Sequence, residues 1–255
     1  MDSILAFGAG YQGSNPCGLI LKMEIVKEIE KELKERTKHV DTSGQVKYFK
    51  ESIKPWGLSN PEARKMAREY FKKYKPSYFE AVKISEELLK SGYFEEGVIA
   101  FDLMTKYKKQ FDKDSFKIFE GWVDKYVHNW AWCDDLGPHL INVVIEKFPV
   151  LVDDLISWTS SKNRWKKRAA AVSLIPSARH ERFLKESFIV CDNLLIDEDD
   201  LVQKGYGWLL KEASKADEKK VISYLEKHYK QMPRTAFRYA LEKINEKDKK
   251  RLMGL

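Results

Sequence analysis

Gly97-Val-Ile-Ala-Phe-Asp-Leu-Met104, Asp134-Asp-Leu-Gly-Pro-His-Leu-Ile141, Arg168-Ala-Ala-Ala-Val-Ser-Leu-Ile175, Lys204-Gly-Tyr-Gly-Trp-Leu-Leu-Lys211 and Arg234-Thr-Ala-Phe-Arg-Tyr-Ala-Leu241 repeat one pattern. Each segment opens on small or polar residues and closes on apolar ones. Their starts recur every roughly 30–37 residues, the period of stacked two-helix repeats. Small residues let neighbouring helices approach closely, and the apolar ends fill a shared core. The intervening stretches, such as Asp114–Lys125 and Leu151–Thr159, read as the partner helices. One such unit cannot bury its apolar face alone, so the units are predicted to stack into a curved solenoid with a concave surface.

The rest of the chain is consistent with that frame. Ile25, Ile29 and Leu33 recur at a spacing of four among Glu and Lys, as on an amphipathic helix. Ser59-Asn60-Pro61-Glu62 reads as a cap followed by proline in the first turn. Ser77-Tyr78-Phe79-Glu80 has the spacing of a capping box. Alternating strand patterns are almost absent. The expected fold class is all-α, with residues 23–255 as a single repeat domain. Residues 1–22 are Gly/Ser/Asn-rich and nearly uncharged, and they read as a poorly ordered extension or the product of an early start codon.

Composition narrows the function. The chain has 255 residues, 43% of them hydrophobic, with seven Trp, twelve Tyr and thirteen Phe, enough for a substantial core. A net charge of +7 favours polyanionic partners, although charge alone is a weak argument. Cys17, Cys133 and Cys191 are few and widely separated, which fits a reducing cytoplasm better than a disulfide framework. No run reaches the roughly twenty apolar residues of a membrane helix. His39, His128, His139, His180 and His228 form no metal-binding motif, and no P-loop or GxGxxG is present. No metal and no cofactor is expected.

The chemistry concentrates in Trp130-Ala-Trp-Cys-Asp134-Asp135-Leu-Gly-Pro138. Trp130 and Asp134 are i and i+4, on one face of a helix. Pro138 lacks an N–H and predicts a helix start or kink near Asp134. The bland alternative makes Asp134 or Asp135 an N-cap. Repeat spacing aligns Asp134, Arg168 and Lys204 as a row, flanked by Trp130 and Trp208. The run Lys162-Asn-Arg-Trp-Lys-Lys-Arg168 carries five cations, which suit phosphates or simply a solvated face. Gly205 and Gly207 inside a helical pattern each cost about 1 kcal/mol relative to alanine, so they imply a close helix approach. Trp208 reads as core or as a stacking platform for a sugar or base.

In order and at repeat spacing, these residues resemble the AlkD-like DNA alkylation repair glycosylases, from about Pro55 to the C-terminal region. The resemblance rests on Gly57-Leu58-Ser59-Asn60-Pro61-Glu62, Phe101-Asp102-Leu103-Met104, Trp130-x3-Asp134-x3-Pro138, Trp165-x2-Arg168-Ala169-Ala170 and Gly207-Trp208-Leu209. It implies a solenoid of HEAT-like repeats and a monofunctional glycosylase. The implied substrates are cationic alkylated purines, such as N3-methyladenine and N7-methylguanine, excised from duplex DNA without flipping the base into a pocket. By the same resemblance Asp134 is the catalytic carboxylate, Trp130 and Trp208 cradle the deoxyribose, and Arg168 supports the DNA backbone. Trp165 and Lys204 join the expected DNA-binding set. The family pattern has an acid directly after its first tryptophan; here the extra acid is Asp135, so which aspartate faces the groove is left open.

Physical chemistry is compatible with that implication. An alkylated purine is already cationic and leaves without protonation. A carboxylate can stabilise the oxocarbenium-like sugar and orient water, and aromatic faces add cation–π stabilisation. The expected partner is double-stranded DNA bearing alkylated bases, engaged by a monomer in the cytoplasm and on the nucleoid. The alternative is a non-catalytic repeat module that binds DNA or protein partners.

Overall fold

The structure is a computed structural model describing residues 16–254, with side chains from residue 23 onward. Its first helices are α1 (Pro16–Arg36), α2 (Ser43–Tyr48), α3 (Asn60–Tyr74), α4 (Tyr78–Ser91) and α5 (Phe94–Met104). There follow α6 (Lys113–Lys125), α7 (Trp130–Leu136), α8 (Asn142–Lys147), α9 (Val152–Ser157), α10 (Arg164–Ser173) and α11 (Ile175–Ala178). The chain ends with α12 (Leu184–Asn193), α13 (Asp200–Ala213), α14 (Glu218–His228), α15 (Arg234–Ala240) and α16 (Glu246–Met253). Among the described residues the only β pairing is an isolated bridge between Lys54 and Tyr93. No described helix is long and apolar enough to cross a membrane. The extension expected over residues 1–22 falls outside the described residues up to residue 15. Because α1 begins at Pro16, the helical chain starts upstream of the Met23 boundary.

The five repeated segments build one layer. They occupy α5, α7 with the turn after it, α10, α13 and α15, and each of these helices packs on the next. Partner helices cover them, α4 against α5, α6 against α10 and α12 against α13. The small residues sit where the layer is tightest. A β-carbon on Gly207 would lie 2.7 Å from the Ala236 carbonyl oxygen and 2.8 Å from Tyr239 Cβ, so this glycine lets α13 and α15 touch. One on Gly205 would lie 3.2 Å from Arg168 Cγ. One on Gly97 would fall inside the indole of Trp132, which is fully buried and donates from Nε1 to the Phe94 carbonyl at 3.0 Å.

Local sequence sets the helix ends. Ser59 N donates to Glu62 Oε2 at 3.2 Å, closing a capping box before α3. Ser77 and Glu80 close the same box before α4, which ends at Gly92 in the left-handed region. Asn129, not either aspartate, caps α7, its side chain accepting from Trp132 N at 2.9 Å. The N-cap reading of Asp134 and Asp135 is therefore corrected. The irregularity expected from Pro138 takes the form of a π turn over Gly137–Ile141 that keeps the helix running into α8. Widening the turn accommodates the missing N–H without breaking the helix.

Residues 37–58 return across the inner layer. Their far end is pinned by two buried acids of α5. Glu95 accepts from Trp56 N at 2.8 Å and Gly57 N at 2.9 Å, and Glu96 accepts from Trp56 Nε1 at 2.8 Å. Gly57 has φ +100°, and a β-carbon there would meet Val40 Cγ1 at 2.6 Å. Only glycine fits such a position without strain. The pinned end holds Tyr48–Glu51 against α7 and α13.

Candidate active site

Asp134 projects from the last turn of α7 toward α10, where Arg168 meets it with two parallel hydrogen bonds. Nε donates to Oδ1 at 2.8 Å, and Nη2 donates to Oδ2 at 2.7 Å. Nη1 of Arg168 donates to the Leu201 carbonyl at the start of α13. Three successive inner helices are thus tied through one guanidinium. The Arg168 side chain is 7% exposed and that of Asp134 is 17% exposed, so the pair sits at the floor of an opening rather than in open solvent. Burial pushes the Asp134 carboxyl above the usual aspartate range, and the opposing charge of Arg168 pulls it back only partly.

Above that floor lies a cavity of about 470 Å³ lined by Trp130, Asp134, Arg168, Lys204, Trp208 and Tyr239, with Tyr48, Lys50 and Glu51 from the returning segment. Trp130 is half-buried. Its indole stacks on Phe49 at 5.2 Å between centroids and meets the Tyr48 ring edge-on at 5.8 Å. Trp208 is steadied by Nε1, which donates to Glu212 Oε1 at 3.4 Å. Glu212 is itself paired with Arg179 at 2.7 Å. Lys204 and Lys50 both reach Asp200 Oδ2, at 3.2 and 2.7 Å. Lys211 pairs with Glu242 at 2.5 Å. The cavity therefore combines two indoles, a fixed carboxylate and a cationic rim.

Glu51 was not legible in the sequence. Its Oε2 is buried at the cavity wall without a hydrogen-bond partner, and Oε1 stands 4.0 Å from Arg164 Nη1. A buried carboxylate oxygen without a donor is undercompensated, with Arg164 as its nearest opposing charge. The only signal in the chain was an aromatic pair, Tyr48-Phe49, among charged residues between two helices, with no periodicity tying it to the site.

Asp134, Trp130, Arg168, Lys204 and Trp208 meet in one cavity, as expected from their alignment at repeat spacing. Asp135 faces away, toward Arg64 at 2.8 Å, which separates the two aspartates. Trp165 does not belong to the opening: its side chain is buried and lines neither of the two cavities that share Asp134. Its residue type gave no hint, because its backbone carbonyl, not its ring, sits beneath α7, accepting from Cys133 Sγ at 3.5 Å. Arg168 is turned inward to Asp134 rather than outward to a phosphate. The cationic run around it is similarly engaged, with Arg164 on Asp199 at 2.6 Å, Lys166 on Glu120 at 2.8 Å, and Lys167 on Asp197. These pairs link neighbouring repeats. Cys133 is fully buried, and burial pushes its thiol far up, so it offers no thiolate to His128.

The family model described as "DNA alkylation repair enzyme" matches residues 29–244, most of the chain. The chain belongs to the DNA alkylation repair enzyme family. Among solved structures it is similar to one from Enterococcus faecalis titled a predicted DNA alkylation repair enzyme. That match has 13% identity and a TM-score of 0.67, covering 94% of this chain and 100% of the other. It is also similar to smu.31 from Streptococcus mutans UA159, with 17% identity and a TM-score of 0.56, covering 87% of this chain and 100% of the other. At these identities the structural likeness shows the fold alone. No curated protein matches the chain. Membership in the alkylation repair family fits a groove that presents a carboxylate, two indoles and lysines together.

Proposed function

We propose that this alkylation repair family member is a monofunctional DNA glycosylase, hydrolysing the N-glycosidic bond of cationic alkylated purines such as N3-methyladenine and N7-methylguanine. The observation that carries the reading is Asp134, held at two points by Arg168 on the floor of a cavity walled by Trp130 and Trp208. A cationic purine departs with the glycosidic electron pair and needs no acid. The barrier lies in the positive charge gathering on the sugar. Asp134 is fixed in advance where that charge develops, so no reorganisation is required during the step. The faces of Trp130 and Trp208 favour the same charge through their quadrupoles. Asp134, which opens on the cavity between the two indoles, is also suited to orient the attacking water. Lys50 and Lys204, drawn to the rim by Asp200, are placed for phosphates on either side.

The second reading is a repeat module that binds damaged or distorted DNA without excision. The inward Arg168, engaging both oxygens of Asp134, favours it. The two readings separate in one assay, release of N7-methylguanine from methylated duplex DNA. The first expects release by the wild type and a loss of at least ~10²-fold in Asp134→Asn, the size associated with removing a preorganised electrostatic group. Binding without any release would install the second.

A further inference from the structure

Beyond Trp130, on the side away from Arg168, lies a second chamber of about 540 Å³. It shares Tyr48, Trp130 and Asp134 with the first, so the edge-on pair of Tyr48 and Trp130 is a partition between two compartments of one groove. Its apolar wall is Phe49, Leu58, Phe94 and Val98, and its polar groups include Arg64 and His139.

The charges there are layered. Asp135 and Asp102 lie beneath, 8% and 10% exposed. Arg64 sits above them, donating from Nη2 to Asp135 Oδ2 at 2.8 Å, with Nη1 3.6 Å from Asp102 Oδ1. Lys106 Nζ lies 3.4 Å from Asp102 Oδ2. His139, on the π turn, places Nε2 3.7 Å from Asp135 Oδ1 and is 52% exposed. Burial holds this imidazole below the ordinary histidine range, with Asp135 pulling it up and the positive charges of Arg64 and Lys108 pushing it down. Arg64, Lys106 and Arg168 thus stand against Asp135, Asp102 and Asp134, three cations to three acids. A protonated His139 tips that balance positive. The paired acids fix the direction of the Arg64 guanidinium, whose remaining donors are open to an anion in the chamber.

We propose that this chamber is an anion subsite in which Arg64 and His139 seat one phosphodiester of the DNA strand, across Trp130 from the reacting nucleotide. The proposal rests on DNA entering the groove, but not on excision. Arg64 keeps donors free beyond those it gives to the aspartates, and a guanidinium matches two phosphate oxygens at once. His139 supplies a further donor that charges as the anion arrives. Arg168, bonded to both oxygens of Asp134, tempers its repulsion of the anion without cancelling its charge. The aromatic partition would then lie between the seated phosphate and the sugar, fixing the register of the strand against Asp134. Phosphate contacts commonly serve that positioning role.

The test measures binding of the full-length protein to duplexes in which single phosphates near the lesion position are replaced, one at a time, by neutral methylphosphonates. Wild type is expected to lose about tenfold in affinity at one linkage, and His139→Gln and Arg64→Gln to lose sensitivity at that linkage alone. The variants should also lower the slope of log affinity against log salt by about 0.9, the value for one phosphate contact. His139→Gln is the decisive variant, because its exposed side chain is not needed to neutralise Asp135. Because His139 is held below the ordinary histidine range, lowering the pH from about 7 to about 5 should strengthen binding in wild type and not in His139→Gln. If both variants show the wild-type methylphosphonate profile and salt slope, the subsite is overturned. Failure of base release with this profile intact would instead strike the glycosylase reading.

Discussion

Asp134 and Arg168 are each intelligible only with the other. A buried carboxylate without its guanidinium would be left uncompensated, at a cost of about 3–5 kcal/mol in comparable pairs, whereas replacing both by apolar groups is often neutral. Arg168→Met should therefore lower the denaturant midpoint strongly. The double variant Asp134→Leu/Arg168→Met should recover much of that loss while remaining inactive. A double variant no more stable than the single would mean the pair is not coupled. The raised carboxyl of Asp134 has a kinetic consequence. The proposed mechanism uses the ionised form of Asp134, so kcat/KM for base release should fall as pH drops through a value above the ordinary aspartate pKa of about 3.9. Because Arg168 opposes the upward push of burial, Arg168→Lys, which keeps a charge but loses the fork, should move that acid limb higher still. A limb at or below the ordinary value would show that burial does not govern this group.

At the scale of the element, the inner helices depend on missing side chains. Gly207→Ala forces a methyl against the α15 backbone and should destabilise the protein by roughly 1–3 kcal/mol, as overpacking does. Gly121, in α6, is the opposite case: a β-carbon added there would meet nothing within 4 Å. Gly121→Ala should therefore stabilise by about 1 kcal/mol through helix propensity alone. Thermal unfolding of the two variants side by side checks both signs. The cost of Gly205 and Gly207 in the sequence already implied a tight contact, and its partners proved to be Arg168 and α15. The cap at Ser59 and the capping box at Ser77 were legible because a cap is a local event, completed within three residues. The returning segment was not: Tyr48, Phe49 and Glu51 acquire their role from contacts with residues eighty or more positions away.

At the scale of the molecule, the charge excess and the binding surface are different things. Lys166 and Lys167 lie in the most basic run of the chain, yet both are paired with acids of neighbouring repeats. Lys167→Gln should lower the melting temperature and leave the salt dependence of DNA binding unchanged. Lys50, exposed on the groove rim in a surface pair that adds little to stability, should behave oppositely. Lys50→Gln is expected to leave stability nearly intact and reduce the salt slope, because the phosphate contact proposed for it would release counterions. Equal effects of the two variants on the slope would contradict this division of labour.

By itself the sequence determined that the chain is a stack of helix pairs, and which residues stand at matching places along the inner helices, because helical period and repeat length are properties of neighbours along the chain. From these followed the row of Trp130, Asp134, Arg168, Lys204 and Trp208. The tertiary structure alone decided that Asp134 rather than Asp135 faces Arg168, that Trp165 is buried, that Glu51 enters the cavity, and that a second chamber lies behind Trp130. Those outcomes depend on the direction in which a side chain leaves its helix and on what lies opposite. A one-residue step turns a side chain by about 100° around the helix axis, and what it then meets comes from repeats far along the chain.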